Sequence, residues 1–227
     1  MKTLLYPSAG NEDWKKALEQ FLDSMDKFIF ADLNYSEANL KNFKIHIAGL
    51  GIIEKEEATG SFSNLVTSVV DGKNRYCDIE PVYYNLHLRI KDELKIIIFR
   101  KGFGQYALYE LENSSLDVFY HRGDSQGESG SNVFYLANRN AKHMPISKLF
   151  NTLISKLKDQ ALIVSDGSNT DFQKLNKTYK KIKDLKKEDV LENIENTEVR
   201  ISNIVLKCID ALDYRYNHTL IWQVIKK

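Results

Sequence analysis

The chain is poor in cysteine and proline, with two Cys and three Pro among 227 residues. Cys77 and Cys208 lie far apart and belong to no Cys-x-x-Cys or Cys/His spacing, which argues against a thiolate zinc site and leaves two reduced, incidental thiols. An excess of one charge is also lacking. Thirty-two Lys and Arg stand against 31 Asp and Glu, a formal charge of +1, so no global field draws the molecule to nucleic acid or to anionic lipid. No apolar window approaches the length of a membrane-spanning helix, and the run Leu4-Leu5-Tyr6 is too short for a signal peptide, so a cytoplasmic protein is expected. No Gly-x-Ser-x-Gly elbow marks a hydrolase, and no Gly/Ser linker or internal repeat cuts the chain. Its length sits at the upper edge of what one core organises, so a single domain over residues 1–227 is expected.

What is present is apolar enough to fold: 43% hydrophobic residues against 28% charged argues for a globular core. Lys2 to Tyr6 reads as a buried strand, closed by Pro7-Ser8-Ala9-Gly10-Asn11. From Asp13, Trp14, Ala17, Leu18, Phe21, Leu22 and Met25 recur at helical spacing behind an Asn11 cap. Lys27 to Leu33 is apolar on both faces, the pattern of a central parallel strand covered by helices. A short helix at Ser36 to Asn42 leads to a strand candidate from Phe43 to Ile53, where Phe43, Ile45 and Ile47 alternate.

From about residue 50 to 115 the pattern predicts a β-rich insertion, with strands at Val82 to Ile90, Lys95 to Arg100 and Gln105 to Leu111. Leu116 to Tyr120 is a further strand. Ile146, Leu149, Phe150, Leu153, Ile154 and Leu157 give an amphipathic helix, Ala161 to Val164 a strand, and Lys174 to Lys187 a lysine-rich helix. Val205 to Tyr214 and Thr219 to Ile225 predict a terminal hairpin. The fold class expected is α/β: a Rossmann-like, mostly parallel sheet with a β-rich insertion and a terminal antiparallel strand.

Four of the apolar strands end in polar, small-residue turns: Pro7 to Asn11, Asp32 to Tyr35, His121 to Asn132 and Ser165 to Asn169. In an open α/β sheet such turns converge on one edge, where ligands bind, although each taken alone also serves ordinary turn geometry and capping. The first pair is the more specific. Ala9-Gly10 lets backbone N–H groups approach a ligand, and Asp32 stands about 20 residues further on, where an acid accepts hydrogen bonds from both ribose hydroxyls. The loop from His121 to Asn132 supplies a base, a cation and two carboxylates in His121, Arg122, Asp124 and Glu128, with Ser125 and three glycines between them; a solvated surface loop is the alternative. Asp166, Ser168 and Asn169 line the same edge or cap the next helix. His46 and His87 fall in strand candidates with no carboxylate spacing that suggests a metal.

In order and placement the chain resembles the class I S-adenosylmethionine-dependent methyltransferases. Leu4-Leu5-Tyr6-Pro7-Ser8-Ala9-Gly10-Asn11 takes the place of that family's glycine-bearing first motif, and Phe30-Ala31-Asp32-Leu33 that of its ribose-binding acid. The strand into His121-Arg122-Gly123-Asp124 stands where the family has its fourth motif, Ala161 to Asp166 at its fifth strand, and Thr219 to Ile225 at its antiparallel last strand. The resemblance implies S-adenosylmethionine as cofactor, contacts to it from Ser8, Ala9, Gly10, Asn11 and Asp32, and an acceptor oriented by His121 or Asp124. Tyr6 and Ser8 occupy positions where the family commonly has an acid and a glycine. The absence of Asp/Asn-Pro-Pro-Tyr/Phe counts against amino methylation of DNA bases or of protein glutamine. The alternative is a non-enzymatic nucleotide-binding or protein-interaction module that keeps the fold without the reaction.

Overall fold

A computed structural model of the chain describes residues 1–7, 9–10, 13–63, 68–70, 76–78, 80–102, 104–121, 152–165, 198–201, 203–212 and 219–227. They fall into two compact units, Met1–Glu110 and Leu111–Lys227. In the first, β1 (Thr3–Pro7) pairs in parallel with β2 (Lys27–Asp32). Both strands are buried along nearly their whole length, as their two-sided apolar sequences require. Helix α1 (Asp13–Phe21) joins them and turns Trp14, Ala17, Leu18 and Phe21 inward.

Helix α2 (Glu37–Ala48) corrects one expectation, because it runs through the segment read as a strand from Phe43. A capping box starts it: the Asn39 N–H donates to Ser36 Oγ, and the Ser36 N–H donates to Asn39 Oδ1 at 2.8 Å. Phe43 and Ile47, one turn apart, point into the core, whereas Ile45 is 63% exposed. The apparent alternation is therefore a helical i, i+4 pair with an apolar residue left outside.

The β-rich stretch begins with β3 (Ile52–Ala58) and continues through a small hairpin of β4 (Ser68–Val70) with β5 (Tyr76–Asp78). It then enters the main sheet as β6 (Val82–Ile90) and β7 (Glu93–Lys101). β7 lies parallel to β2, and the order within the unit is β3-β6-β7-β2-β1. Helix α3 (Gly104–Tyr109) occupies most of the segment read as a strand from Gln105, and buries Ala107 and Leu108. Just beyond it, Glu110 receives a bidentate hydrogen bond from the fully buried Arg100 guanidinium, with Nη2 to Oε1 at 2.6 Å.

The second unit holds β8 (Leu116–His121), β9 (Leu157–Ser165), β10 (Glu198–Ile201), β11 (Ile204–Leu212) and β12 (Thr219–Lys226), ordered β8-β9-β12-β11-β10. Residues 152–156 form a helical turn, and the strand after it starts at Leu157, earlier than expected. β12 runs antiparallel to both β9 and β11, which gives the expected terminal hairpin.

The expectation of a mostly parallel sheet is corrected as well. Among the described pairs within the two units, β1/β2, β2/β7 and β8/β9 are parallel, while β3/β6, β6/β7, β9/β12, β11/β12 and β10/β11 are antiparallel. The physical reason is connection length. The β6–β7 turn is tight, with Lys91 at φ 55, and a tight turn permits only antiparallel pairing. The lysine-rich segment from Lys174 to Lys187 lies outside the described residues. No helix among the described residues is long and apolar enough to cross a membrane.

Candidate functional site

The core of the first unit is aromatic. Trp14 meets Phe43 edge-on at 5.0 Å and Phe99 at 5.1 Å, and Phe43 stacks on Phe99 at 3.9 Å. This cluster fixes α1 and α2 on the sheet and so fixes the carboxyl ends of β1, β2 and β7. Asp32 closes β2 there. Its Oδ2 accepts the Gly10 N–H at 2.9 Å and its Oδ1 accepts the Asn34 N–H at 2.7 Å. The Ala9 N–H donates to the Ala31 carbonyl at 2.9 Å, and the Gly102 N–H to the Asp32 carbonyl at 3.1 Å. One short segment thus ties three strand ends together.

Burial raises the Asp32 carboxyl above its ordinary value, and the N–H bonds from Asn34 and Gly10 oppose that shift. The residue keeps 9% of its surface exposed. An ionised carboxylate offers about four lone-pair sites, and the backbone uses two, so it retains capacity for a diol. Gly10 sits at φ +62, and a Cβ added there would meet nothing within 4 Å. No described residue occupies the space beside it. Gly10→Ala should therefore cost only the left-handed backbone strain, about 1 kcal/mol, with no clash term; urea denaturation of the two proteins measures it.

The edge on the β7 side is filled. Tyr35 is fully buried, and its ring runs near-parallel to that of Phe62, centroids 6.2 Å apart and planes 7° from parallel. Its hydroxyl has no hydrogen-bond partner among the described residues, and burial together with the Asp32 charge pushes its pKa well up. Lys101, the last residue of β7, is 8% exposed and donates from Nζ to the Phe62 carbonyl. Sequence reasoning did not assign Lys101 or Phe62 to a site. The only signal for Lys101 was a second cation, after Arg100, beyond the apolar run Ile96 to Phe99, and none distinguished Phe62.

Of the residues singled out from the sequence, Gly10 and Asp32 are brought together by a direct hydrogen bond. Ala9 lies beside them with its N–H spent on Ala31. His121 ends β8 in the second unit, fully buried, its ring stacked on Phe119 at 6.0 Å. Burial pushes its pKa down to about 3, which makes it a neutral ring at pH 7. Ser8, Asn11, Arg122, Asp124, Ser125, Glu128, Asp166, Ser168 and Asn169 lie outside the described residues. His46 is on α2 rather than on a strand, edge-on to Trp14, and no cluster of three or more potential metal ligands occurs among the described residues.

No protein-family model and no curated protein matches the chain. A solved structure similar to it is that of a provisionally named S-adenosyl-L-methionine-dependent methyltransferase from Methanococcus maripaludis, with 12% identity and a TM-score of 0.37 over all of this chain and 78% of that one. A likeness of that size decides nothing about activity.

Proposed function

We propose that the chain is an S-adenosylmethionine-dependent methyltransferase-like protein that takes the donor at the carboxyl ends of β1 and β2. The observation that carries this reading is the Asp32 carboxylate, anchored on the Gly10 and Asn34 N–H groups beside an open, left-handed glycine. Asp32 would accept the ribose hydroxyls with its remaining lone pairs, and the backbone about Gly10 would face the donor's amino-acid end. When bound, the donor supplies a methyl group on a sulfonium for attack by an acceptor. His121, fully buried and neutral at pH 7, would not act as a general base.

One observation favours a second reading, a nucleotide-binding or protein-interaction module without catalysis: the Phe62 ring fills the edge next to Tyr35. Against a docking role for the insertion, exposed β3 carries Glu54, Lys55, Glu56 and Glu57, the charged composition that keeps an edge strand from pairing. Calorimetric titration with S-adenosylmethionine and S-adenosylhomocysteine tests donor binding. Saturable binding of both supports the first reading, and no heat with either at millimolar concentration contradicts it.

A further inference from the structure

The sheet of the first unit is packed unequally on its two sides. Leu86 and Leu88 of β6 and Ile97 and Phe99 of β7 are buried on the side of α1 and α2, where Phe99 meets Trp14 and Phe43. On the opposite side α3 packs on β1 and β2, while Asn85, His87, Ile96 and Ile98 of β6 and β7 stay only half-buried.

Strand register orders that open side. One row across the sheet holds Ile96 on β7, His87 on β6 and Lys55 on β3, and the next row holds Ile98, Asn85 and Glu57. In both rows the chemistry runs from an aliphatic side chain through a polar one to a charge, as an interface core gives way to its rim. Lys55 and Glu57 share this side, because they pair at 2.7 Å along the strand, and their side chains remain 58% and 50% exposed. The row beyond Ile96 sets Leu94, itself 43% exposed, against Arg89, and the row beyond Ile98 sets Arg100 against Tyr83.

That pattern complements itself. A second copy turned about an axis that crosses the strands midway between the two central rows lays β7 on β7, β6 on β6 and β3 on β3. Ile96 of one copy then meets Ile98 of the other, His87 meets Asn85, and Lys55 meets Glu57, each pairing made twice. Arg89 falls over the Tyr83 ring, where a cation is attracted. Turning the copy about an axis along β6 would instead lay the β3 charges on the β7 aliphatics. The charges that keep the β3 edge from pairing thus become complementary when two faces meet.

We propose that the open face of β3, β6 and β7 is a homodimer interface, two sheets stacked in alignment with Lys55 of each copy paired to Glu57 of the other. β6 and β7 have nine residues each, about 30 Å, and three strands are about 15 Å wide, so each copy contributes a footprint of about 450 Å². That is below the roughly 800 Å² of a standard interface, so the dimer forms in the micromolar range. The inference is independent of the reading of the Asp32 edge.

The test is sedimentation equilibrium of the full chain between about 1 and 500 µM, with circular dichroism to verify the fold of each variant. The wild type should pass from monomer to dimer within that range. Ile98→Asp, which places two carboxylates in the apolar centre, should weaken the dimer at least about a hundredfold. Lys55→Glu and Glu57→Lys, at exposed positions that tolerate substitution, should each weaken it about tenfold by turning two attractive pairs into two repulsive ones. The double variant Lys55→Glu/Glu57→Lys should restore the wild-type constant, because each charge again meets its opposite. A monomer at every concentration would overturn the proposal. So would a dimer that ignores both single reversals, or a double variant no tighter than either of them.

Discussion

Asp32→Ala should lower the stability of the protein by about 3 kcal/mol and abolish nucleoside binding. The carboxylate receives two backbone N–H groups, from Gly10 and from Asn34, and each hydrogen bond to a charged acceptor contributes about 1.5–3 kcal/mol. Alanine leaves both donors without their acceptor at the end of a buried strand. Partial access of water keeps the loss near the lower sum. Asp32→Asn separates the two roles, because its carbonyl oxygen can still accept one N–H while its amide cannot accept from a diol. The stability loss should then be smaller while the binding loss persists. Urea denaturation with calorimetric titration on the same samples measures both.

Acid should destabilise the protein, in part through His121. The His121 pKa is held at about 3 in the folded chain against 6.5 for an ordinary histidine. Above pH 6.5 the ring is neutral in folded and unfolded chains alike, and stability does not depend on it. Below that value the unfolded chain binds a proton that the folded chain refuses, so stability falls continuously until the folded group itself titrates near pH 3. At about 1.4 kcal/mol for each pH unit, the full loss is on the order of 5 kcal/mol. Carboxylates contribute in the same range, so the informative quantity is the difference between the wild type and His121→Gln. That variant should lose the component between pH 6.5 and 4 while keeping the rest. Identical pH profiles for the two proteins would contradict the assignment.

The parts of the fold that depend on local pattern were legible. Apolar runs at Leu4 to Tyr6 and Phe28 to Ala31 could only be buried strands, and the turns that close them marked Gly10 and Asp32, which the structure joins by a hydrogen bond. Phe43 to Ile53 was misread because the pair Phe43 and Ile47, at i and i+4, fits strand and helix alike. The Ser36–Asn39 capping box, a polar feature seven residues before Phe43, decides it. Sheet direction was misread for another reason. Whether the insertion adds parallel or antiparallel strands depends on the β6–β7 turn, while the two-sided burial of β2 reads the same in either case.

The covered half of the site was least legible. Lys101 at a strand end reads as a solvated cation, yet it is buried with its Nζ donating to the Phe62 carbonyl. Contacts between residues so far apart in sequence leave no periodic trace. Cys208 shows the converse. It reads as incidental in the sequence and is buried, with its thiol pushed up to about 12, so it stays protonated and unreactive.

The central claim is that the Asp32 carboxylate reads a ribose diol, and the most direct measurement compares adenosine with 2′,3′-dideoxyadenosine on the wild type and on Asp32→Asn. Loss of two hydrogen bonds to a charged acceptor should weaken dideoxyadenosine at least about a hundredfold on the wild type, and the two ligands should bind Asp32→Asn alike. Equal affinity of the two ligands for the wild-type protein would contradict the account.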